Sequence, residues 1–342
     1  MRAAVYRRFG GPDLVRVEEL PQPPVTRRDV LIRVRASTVS AADHRARSRD
    51  VPRGLWPLAA FGLGVLRPKH PVLGMDVAGV VEAVGADVTK HKLGDEVIAM
   101  LGADFGGHAE YAVLRQSDAI ALKPPNMTFE DAVTLVFGGL TARGFLNQAE
   151  VAPAAEVLVN GAAGAVGTAA VQLAKHAGAR VTGVCAEPNR DLVTSLGADR
   201  VIDYTTEDFA AQATAEYDVI VDCVGNAPFH RVKDVLKPGG ALLLVTADLQ
   251  GLLRAPVLSR RTGTLVTASA AKPTADDLTY LVALATAGHY RAVRDRTYDL
   301  TEIAEAHRYV DTGHKRGNVV VRISGSEHQP TPLIEKNKRL SS

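Results

Sequence analysis

A glycine-rich turn between a short apolar strand and a helix constrains the fold of this chain more than any other feature. The run Val157-Leu158-Val159 has the pattern of a buried strand, and residues 160–167, Asn-Gly-Ala-Ala-Gly-Ala-Val-Gly, lead from it into a helix predicted over 167–177. In such a turn, Gly164 lets the backbone approach a pyrophosphate and Gly167 lets the helix pack on the strand. Free amides at the helix N-terminus attract the anion.

A glycine-rich turn on its own also occurs in α/β proteins that bind no nucleotide, so its surroundings decide its meaning. Here a strand precedes the turn, a helix follows it, and a second strand comes about twenty residues later, at 181–185. These are the surroundings of a dinucleotide-binding turn, in which Ala162 takes the first glycine position. The predicted cofactor contacts in the turn are Ala162, Gly164, Ala165, Val166 and Gly167.

The order of the predicted elements changes along the chain. Up to about residue 120, short alternating runs such as 30–39 and 77–84 predict a β-rich domain with glycine-containing turns. Beyond Pro124-Pro125, Thr128 is the predicted N-cap of a helix, and strands then alternate with helices, including one predicted over 229–236. This alternation predicts a parallel, doubly wound sheet. A length of 342 residues exceeds what one core usually supports, so we expect two domains.

The segment after the second strand bears on which nicotinamide cofactor binds. An acid there pairs with a ribose hydroxyl of NAD, whereas a cation binds the 2′-phosphate of NADP. The chain has both, Glu187 and Arg190. Arg190 can contact a phosphate through two nitrogens and favours NADPH, and Glu187 leaves NADH possible. A solvent-facing glutamate and a helix N-terminal arginine are the structural alternatives.

Bulk composition excludes several classes of protein. The formal charge is +2, with 40 Lys plus Arg against 38 Asp plus Glu. This balance gives no indication of the basic surface that nucleic-acid binding requires. The apolar segment 54–66 is too short for the roughly 20 residues that span a bilayer, and we expect a loop or pocket wall there. The N-terminus lacks the apolar core of a signal peptide, which predicts a cytoplasmic protein without a membrane partner. Cys185 and Cys223 are the only cysteines, and they are expected to pack as small core residues.

Four motifs, in this order and spacing, resemble those of the medium-chain dehydrogenase/reductase superfamily. They occupy 72–85, 94–97, 107–111 and 162–167. The resemblance implies an α/β architecture in which a GroES-like β-rich catalytic domain, built from both chain ends, joins a Rossmann domain, with the active site in the cleft between them. The implied boundaries are 1–123 with 291–325 for the catalytic domain, 124–290 for the Rossmann domain and 326–342 for a flexible tail.

The same resemblance indicates which branch of the superfamily is the nearest. Zinc alcohol dehydrogenases carry Gly-His-Glu where this chain has Gly74-Met75-Asp76, a cysteine ligand near 37–43, and a four-cysteine lobe that two cysteines cannot build. We therefore expect no metal site and no zinc. The remaining resemblance is to zinc-independent quinone oxidoreductases, which reduce quinones or α,β-unsaturated carbonyls with NADPH. Such acceptors take hydride at a conjugated carbon, so no Lewis acid is needed.

Residues of that branch can be carried over one at a time. Ser40 and Asp43 lie where relatives have Asn-Pro-x-Asp, and they are the predicted catalytic residues, able to orient a substrate oxygen or relay a proton. A turn-stabilising Asp43 is the alternative. Thr141 matches a threonine near the nicotinamide, with a mere helix hydroxyl as the alternative. Val224 and Gly225 match residues that line the cofactor cleft.

Two further matches concern the 2′-phosphate of NADPH. Arg190 takes the place of a lysine in many relatives, and Tyr204 matches a tyrosine that packs beside this phosphate. Ala186 and Asn318 stand where relatives often have serine and lysine. The resemblance thus favours NADPH with fewer phosphate contacts than usual.

Other functions remain open at this point. The chain could be a cofactor-binding protein of the same fold with little catalysis, crystallin-like or regulatory, or an alcohol dehydrogenase with atypical zinc ligands. A homodimer is expected by analogy, through the strand predicted near 264–268. A small hydrophobic carbonyl or quinone substrate is suggested by an apolar wall that could equally be packing, made of Leu55, Trp56, Leu58, Phe61 and Leu66.

Overall fold

The computed structural model of the chain describes residues 1–211 and 215–323, and the predicted tail, 326–342, lies outside the described residues. The strands found there are β1 (Arg2–Tyr6), β2 (Val15–Glu19), β3 (Asp29–Val39), β4 (Asp76–Val84), β5 (Glu96–Met100), β6 (Tyr111–Arg115), β7 (Ile120–Leu122), β8 (Glu156–Asn160), β9 (Arg180–Cys185), β10 (Arg200–Asp203), β11 (Tyr217–Asp222), β12 (Leu236–Leu244), β13 (Leu265–Thr267), β14 (Arg294–Asp299) and β15 (Asn318–Arg322). The α-helices are α1 (Ala41–Ser48), α2 (Trp56–Leu63), α3 (Phe129–Val133), α4 (Val136–Ala149), α5 (Ala165–His176), α6 (Arg190–Ser195), α7 (Phe229–Val232), α8 (Leu249–Thr262), α9 (Ala275–Thr286) and α10 (Ile303–Asp311).

A parallel sheet forms the centre of the nucleotide-binding half. Its strand order is β10-β9-β8-β11-β12-β13, and every neighbouring pair is parallel. The chain winds outward in both directions from β8, and the order reverses between β8 and β11. Val157, Leu158 and Val159 are completely buried because helices cover both faces of the sheet. The predicted doubly wound sheet is confirmed.

A second sheet joins the two ends of the chain. Its order is β14-β15-β3-β4-β5-β7, and β6 pairs with β3. In β3, Val30, Ile32 and Val34 point into one apolar core, which confirms the predicted alternation. The C-terminal strand β15 pairs antiparallel with β3, so the last described strand completes a sheet begun by the third. The predicted domain boundaries at 123/124 and 290/291 remain predictions.

Two secondary-structure predictions are wrong, the loop over 54–66 and the end of the helix over 229–236. The segment 54–66 is a helix, α2, for most of its length, because Pro57 occupies the first turn, where its fixed φ suits a helix and its missing N–H costs no hydrogen bond. The helix predicted over 229–236 ends at Val232. Three residues later, the carbonyl of Val235 accepts from the amides of Glu216 and Tyr217, at 2.9 and 3.0 Å. These bonds draw the backbone into the sheet.

One ion pair, between a buried arginine and a partly exposed aspartate, ties the beginning of the second sheet's domain to its end. Arg47, on α1, is completely buried, and its guanidinium donates to both oxygens of Asp311 at 2.6 and 2.5 Å. Arg47 also donates to the carbonyl of Gly10, and His44 Nδ1 lies 2.6 Å from Asp311 Oδ1. Since Asp311 ends α10, this contact joins α1 to the C-terminal helix.

The substitution Asp311→Ala should leave the buried Arg47 cation without its carboxylate. Loss of one partner from such a pair costs about 3–5 kcal/mol in the free energy of unfolding. Urea unfolding followed by circular dichroism would measure it, with Asp13→Ala as the control, because Asp13 is exposed in its ion pair with Arg308. Equal unfolding midpoints for the two variants would contradict a stabilising role for the pair.

Candidate active site

A polar pair marks the point where the strand order of the parallel sheet reverses. Strands β8 and β11 lie side by side and end at Asn160 and Asp222. Asn160 Nδ2 donates to Asp222 Oδ1 at 2.8 Å and to Asn226 Oδ1 at 2.6 Å. In open α/β sheets, ligands bind in the crevice at this reversal. Sequence reasoning missed both residues, although each is a polar residue that ends an apolar strand.

The buried Asp222 carboxylate holds the loop that follows β11. Its Oδ1 accepts from the amides of Val224 and Gly225 at 3.1 and 3.0 Å, and its Oδ2 accepts from the Ala227 amide at 2.9 Å. Two of the predicted cofactor residues, Val224 and Gly225, are therefore fixed at the mouth of the crevice.

The glycine-rich turn has an open side. Gly161 turns the chain with a φ of 80°, a conformation that favours glycine. A Cβ on Gly167 would lie 2.1 Å from the carbonyl oxygen of Gly161, so helix and strand can approach only without it. A Cβ on Gly164 would have its nearest contact at 3.6 Å. The side of the turn at Gly164 is thus free for a ligand.

The remaining residues of the turn complete an anion cradle. Helix α5 begins at Ala165, followed by Val166, and Gly164 has no side chain to cap the first amides. Ala162 stands in place of the usual first glycine and is completely buried. It fits because Gly183, on the neighbouring strand β9, leaves room: a Cβ there would lie 3.1 Å from that of Ala162. This arrangement fits a pyrophosphate held by backbone amides.

The segment just before β15 is hydrogen-bonded to this turn. The Gly317 amide donates to the Ala163 carbonyl at 2.7 Å, and Gly317 forms a parallel bridge with Gly164. Lys315 Nζ donates to the Gly317 carbonyl at 2.6 Å, and burial lowers the pKa of Lys315 to about 8. Sequence reasoning missed Lys315, which brings a cation to the segment where Asn318 replaces a lysine.

Ser40 and Asp43 are hydrogen-bonded to each other. Ser40 is the N-cap of α1, and its hydroxyl donates to Asp43 Oδ2 at 2.6 Å while its amide donates to the same oxygen at 2.7 Å. The other carboxylate oxygen, Oδ1, accepts from the Gly74 amide at 2.8 Å. This geometry favours the alternative of a stabilising Asp43, and the catalytic roles of both residues remain predictions.

Thr141 and Asp76 lie in the same region. Thr141, on α4, donates through its hydroxyl to the Phe137 carbonyl at 2.7 Å, a bond within its own helix. Asp76 is completely buried and accepts from the amide and the hydroxyl of Thr38, both at 2.8 Å. Burial raises the pKa of Asp76 to about 7. Asp76, which sequence reasoning considered only as a replaced zinc ligand, is therefore a buried carboxyl that titrates near neutral pH.

The two charged residues after β9 are bonded to each other. The Arg190 guanidinium contacts the Glu187 carboxylate through Nε at 2.9 Å and through Nη2 at 2.7 Å. Its Nη1 donates to the Val201 carbonyl at 3.2 Å. Tyr204 follows β10 and is 59% exposed, so its ring is accessible. The features that favour NADPH and NADH thus form a single ion pair.

A cavity of about 610 Å³ lies between the segment after α1 and the carboxyl ends of β11 and β12. Val224 and Gly225 line it, whereas neither the other predicted site residues nor the glycine-rich turn does. The predicted apolar wall does not line it either. Phe61 and Leu66 of that wall are 87% and 89% exposed. These side chains lie on and beside α2, a helix with no buried residue, and their role as a substrate wall remains a prediction.

The described residues contain neither a cluster of metal ligands nor a membrane-spanning helix. Across residues 1–211 and 215–323, no three His, Cys, Asp or Glu side chains are grouped so that they could hold a metal ion. No helix within those ranges is long and apolar enough to cross a membrane. Both described cysteines are free, and burial raises the pKa of Cys185 to about 11.

Comparison with known proteins adds sequence and structural relatives. Residues 26–125 match the family described as alcohol dehydrogenase GroES-like domain, and residues 196–321 match that described as zinc-binding dehydrogenase. The chain is 32% identical to quinone-oxidoreductase QR1 of Triphysaria versicolor, with 94% of this chain and 98% of the relative covered. It is also 32% identical to an NADPH-dependent alkenal/one oxidoreductase of Arabidopsis thaliana, covering 94% of this chain and 79% of the relative.

A solved structure is similar in fold over nearly the whole chain. The quinone oxidoreductase from Coxiella burnetii superimposes with a TM-score of 0.84 at 29% identity, over 95% of this chain and 99% of that one. The likeness therefore extends through both halves of the molecule.

The raised pKa of Asp76 predicts a pH dependence of stability. Since the folded-state pKa lies above the ordinary aspartate value of 3.8, the neutral carboxyl favours the folded state, and this contribution is lost as the pH rises through about 7. Ionisation of the buried group should cost at most roughly 4 kcal/mol.

The substitution Asp76→Asn should remove this dependence and keep an acceptor for Thr38. The urea midpoint of the native protein should be lower at about pH 8 than at about pH 5. The difference between the two midpoints should be smaller in the variant. Asp104→Asn, at an exposed carboxyl, is the matched control and should follow the native protein. A variant that loses as much stability as the native protein over this range would disprove the assignment.

Proposed function

Since the chain belongs to the quinone oxidoreductase-like branch of the medium-chain dehydrogenase/reductase superfamily, we propose that it is an NADPH-dependent, zinc-independent reductase of quinones or α,β-unsaturated carbonyls. The observation that carries the proposal is the open anion cradle at Gly164, beside the crevice at Asn160 and Asp222. The names of two relatives, a quinone oxidoreductase and an alkenal/one oxidoreductase, support the acceptor class.

The cofactor, when bound, supplies the hydride, and this chain supplies its position. The amides at the start of α5 would hold the pyrophosphate, and Asp222, itself bonded to Asn160, holds the neighbouring loop through three backbone amides. A conjugated acceptor takes hydride at carbon, so polarisation by a metal is not required. The absence of the superfamily's zinc ligands at 74–76, where Met75 and Asp76 stand, supports metal-independent reduction.

The proposed preference for NADPH rests on which group the Arg190 guanidinium binds. Its present partner is Glu187, in an exposed ion pair of the kind that contributes about 0–1 kcal/mol. A doubly charged phosphate bonded by a guanidinium through two nitrogens is a stronger partner. We propose that the 2′-phosphate displaces Glu187 from Arg190, with the exposed ring of Tyr204 beside it.

The proposed homodimer would form at the edge of the parallel sheet. Strand β13, Leu265–Thr267, pairs with β12 and ends the sheet. Pairing with the same strand of a second copy would cover that edge. The cytoplasmic location remains a prediction, because the relatives include chloroplastic and mitochondrial proteins.

A panel of acceptors tests the proposed function. Chelator-treated protein, its metal content measured, is mixed with NADPH and a neutral quinone, an enone or a saturated ketone. We expect oxidation of NADPH with the quinone and the enone only. Tight NADPH binding without turnover of any acceptor would favour a non-catalytic cofactor-binding protein. Activity that disappears with the chelator and returns with zinc would favour an alcohol dehydrogenase with atypical ligands.

A second test concerns the choice of cofactor. Glu187→Gln should strengthen NADPH binding relative to NADH by up to about fivefold, because it removes a competing carboxylate from Arg190. Arg190→Ala should abolish the preference. Dissociation constants for both cofactors, measured by calorimetry, give the ratio directly.

The control is Glu18→Gln, which removes a similar exposed partner from Arg7 in the other sheet's domain and should change neither constant. If Arg190→Ala retained the native ratio of the two dissociation constants, Arg190 would not belong to the cofactor site.

A further inference from the structure

An arginine without a carboxylate partner faces the 610 Å³ cavity. Arg45 lies on α1, and its closest polar contact is a weak one, from Nη2 to Thr246 Oγ1 at 3.4 Å. Surrounding protein removes water from this guanidinium and lowers its pKa, and the charge of Asp50 offsets the effect only in part. Among the residues that the structure describes, Arg45 forms no ion pair. Its neighbour Arg47, on the same helix, is fully paired with Asp311.

Two more arginines line the same cavity. Arg53 follows α1, and Arg254 lies on α8. Neither has a carboxylate partner in the described part of the chain. The amide oxygen of Gln250, in the orientation that satisfies its hydrogen bonds, accepts from Arg254 at 3.0 Å. Three arginines therefore line one cavity.

The carboxylates of the cavity are committed elsewhere. Asp222 accepts from Asn160 and from three backbone amides. Asp248 caps the N-terminus of α8, where its Oδ1 accepts from the Gly251 amide at 2.7 Å. Asp50 is exposed and lies 3.4 Å from His44 Nε2. None of the three is bonded to an arginine, although the charge of Asp50 acts on Arg45.

The rest of the cavity wall is apolar, with Val224, Phe229, Leu244 and Val266 among its residues. A cavity with an apolar wall and a few charged groups suits a small amphipathic ligand. A guanidinium that has lost water gains most from a carboxylate or phosphate, because charge-assisted bonds are about twice as strong as neutral ones.

We propose that the acceptor is anionic: Arg45 binds a charged group on the substrate, remote from the conjugated carbon, while the apolar wall holds the remainder. This inference rests on the proposed reductase function and narrows the hydrophobic substrate expected from the sequence to an amphipathic one. The phosphates of the cofactor are a different source of negative charge. They are expected at the glycine-rich turn, which does not line this cavity.

An acid and its uncharged methyl ester, with the carboxyl group four methylenes away from the enone, test the proposal: 8-oxo-6-nonenoate and methyl 8-oxo-6-nonenoate. Arg45→Met should lower kcat/KM for the acid by about 10–100-fold, mainly through KM, since a bond to a charged group contributes about 1.5–3 kcal/mol. For the ester, kcat/KM should stay within about twofold. Comparing the two proteins for each acceptor cancels the difference in intrinsic reactivity. Arg7→Met, which alters an exposed arginine outside the cavity, should behave as the native protein.

Binding without turnover provides an independent arm. Calorimetry of the NADP⁺ complex with the saturated product 8-oxononanoate should show binding that Arg45→Met weakens, whether or not the enone is reduced. Equal affinity in both proteins would overturn the inference, and so would an unchanged ratio of acid to ester turnover. Weaker binding of NADPH by Arg45→Met would place Arg45 in the cofactor site, and this result would also overturn the inference. If neither enone is turned over but the acid product binds through Arg45, the reductase proposal fails while the anion site stands.

Discussion

The candidate site depends on one backbone contact, in which the Gly317 amide donates to the Ala163 carbonyl at 2.7 Å. Gly317 directly precedes β15, which pairs with β3 in the second sheet, and Ala163 belongs to the cofactor turn of the first. Gly317 has a φ of 57°, and a Cβ on it would lie 2.3 Å from the Val293 carbonyl oxygen, so only glycine fits. The two halves of the molecule are thus held together at the point where the pyrophosphate would bind.

The chemistry that we propose follows from this junction. With both sheets fixed at the turn, α1 of one half faces the carboxyl ends of β11 and β12 of the other, and the cavity lies between them. Arg45 and Thr246 come from opposite halves and meet across it at 3.4 Å. The anion cradle and the arginine-lined cavity are separate parts of one crevice, which suits a cofactor and an acceptor that bind side by side.

The sequence allows prediction of features that neighbouring residues determine. The turn at 160–167 could be recognised because strand, glycines and helix follow one another, and Thr128 was identifiable as an N-cap because the signal is local. Contacts between distant residues could not be read in this way. Asn160 meets Asp222 only after β8 and β11 become neighbours, and a sequence does not show which cations, such as Arg45, will lack a partner. The Ser40 and Asp43 motif was found, but whether its oxygens face a substrate or each other depends on the folded geometry.

The most direct test of the account follows hydrogen from cofactor to product. NADPH carrying deuterium at the transferable C4 position is incubated with an α,β-unsaturated ketone and protein whose metal content has been measured. We expect a saturated ketone with deuterium at the β-carbon, from protein without bound zinc. An allylic alcohol with deuterium at the carbonyl carbon would contradict it, because that product would identify the protein as an alcohol dehydrogenase.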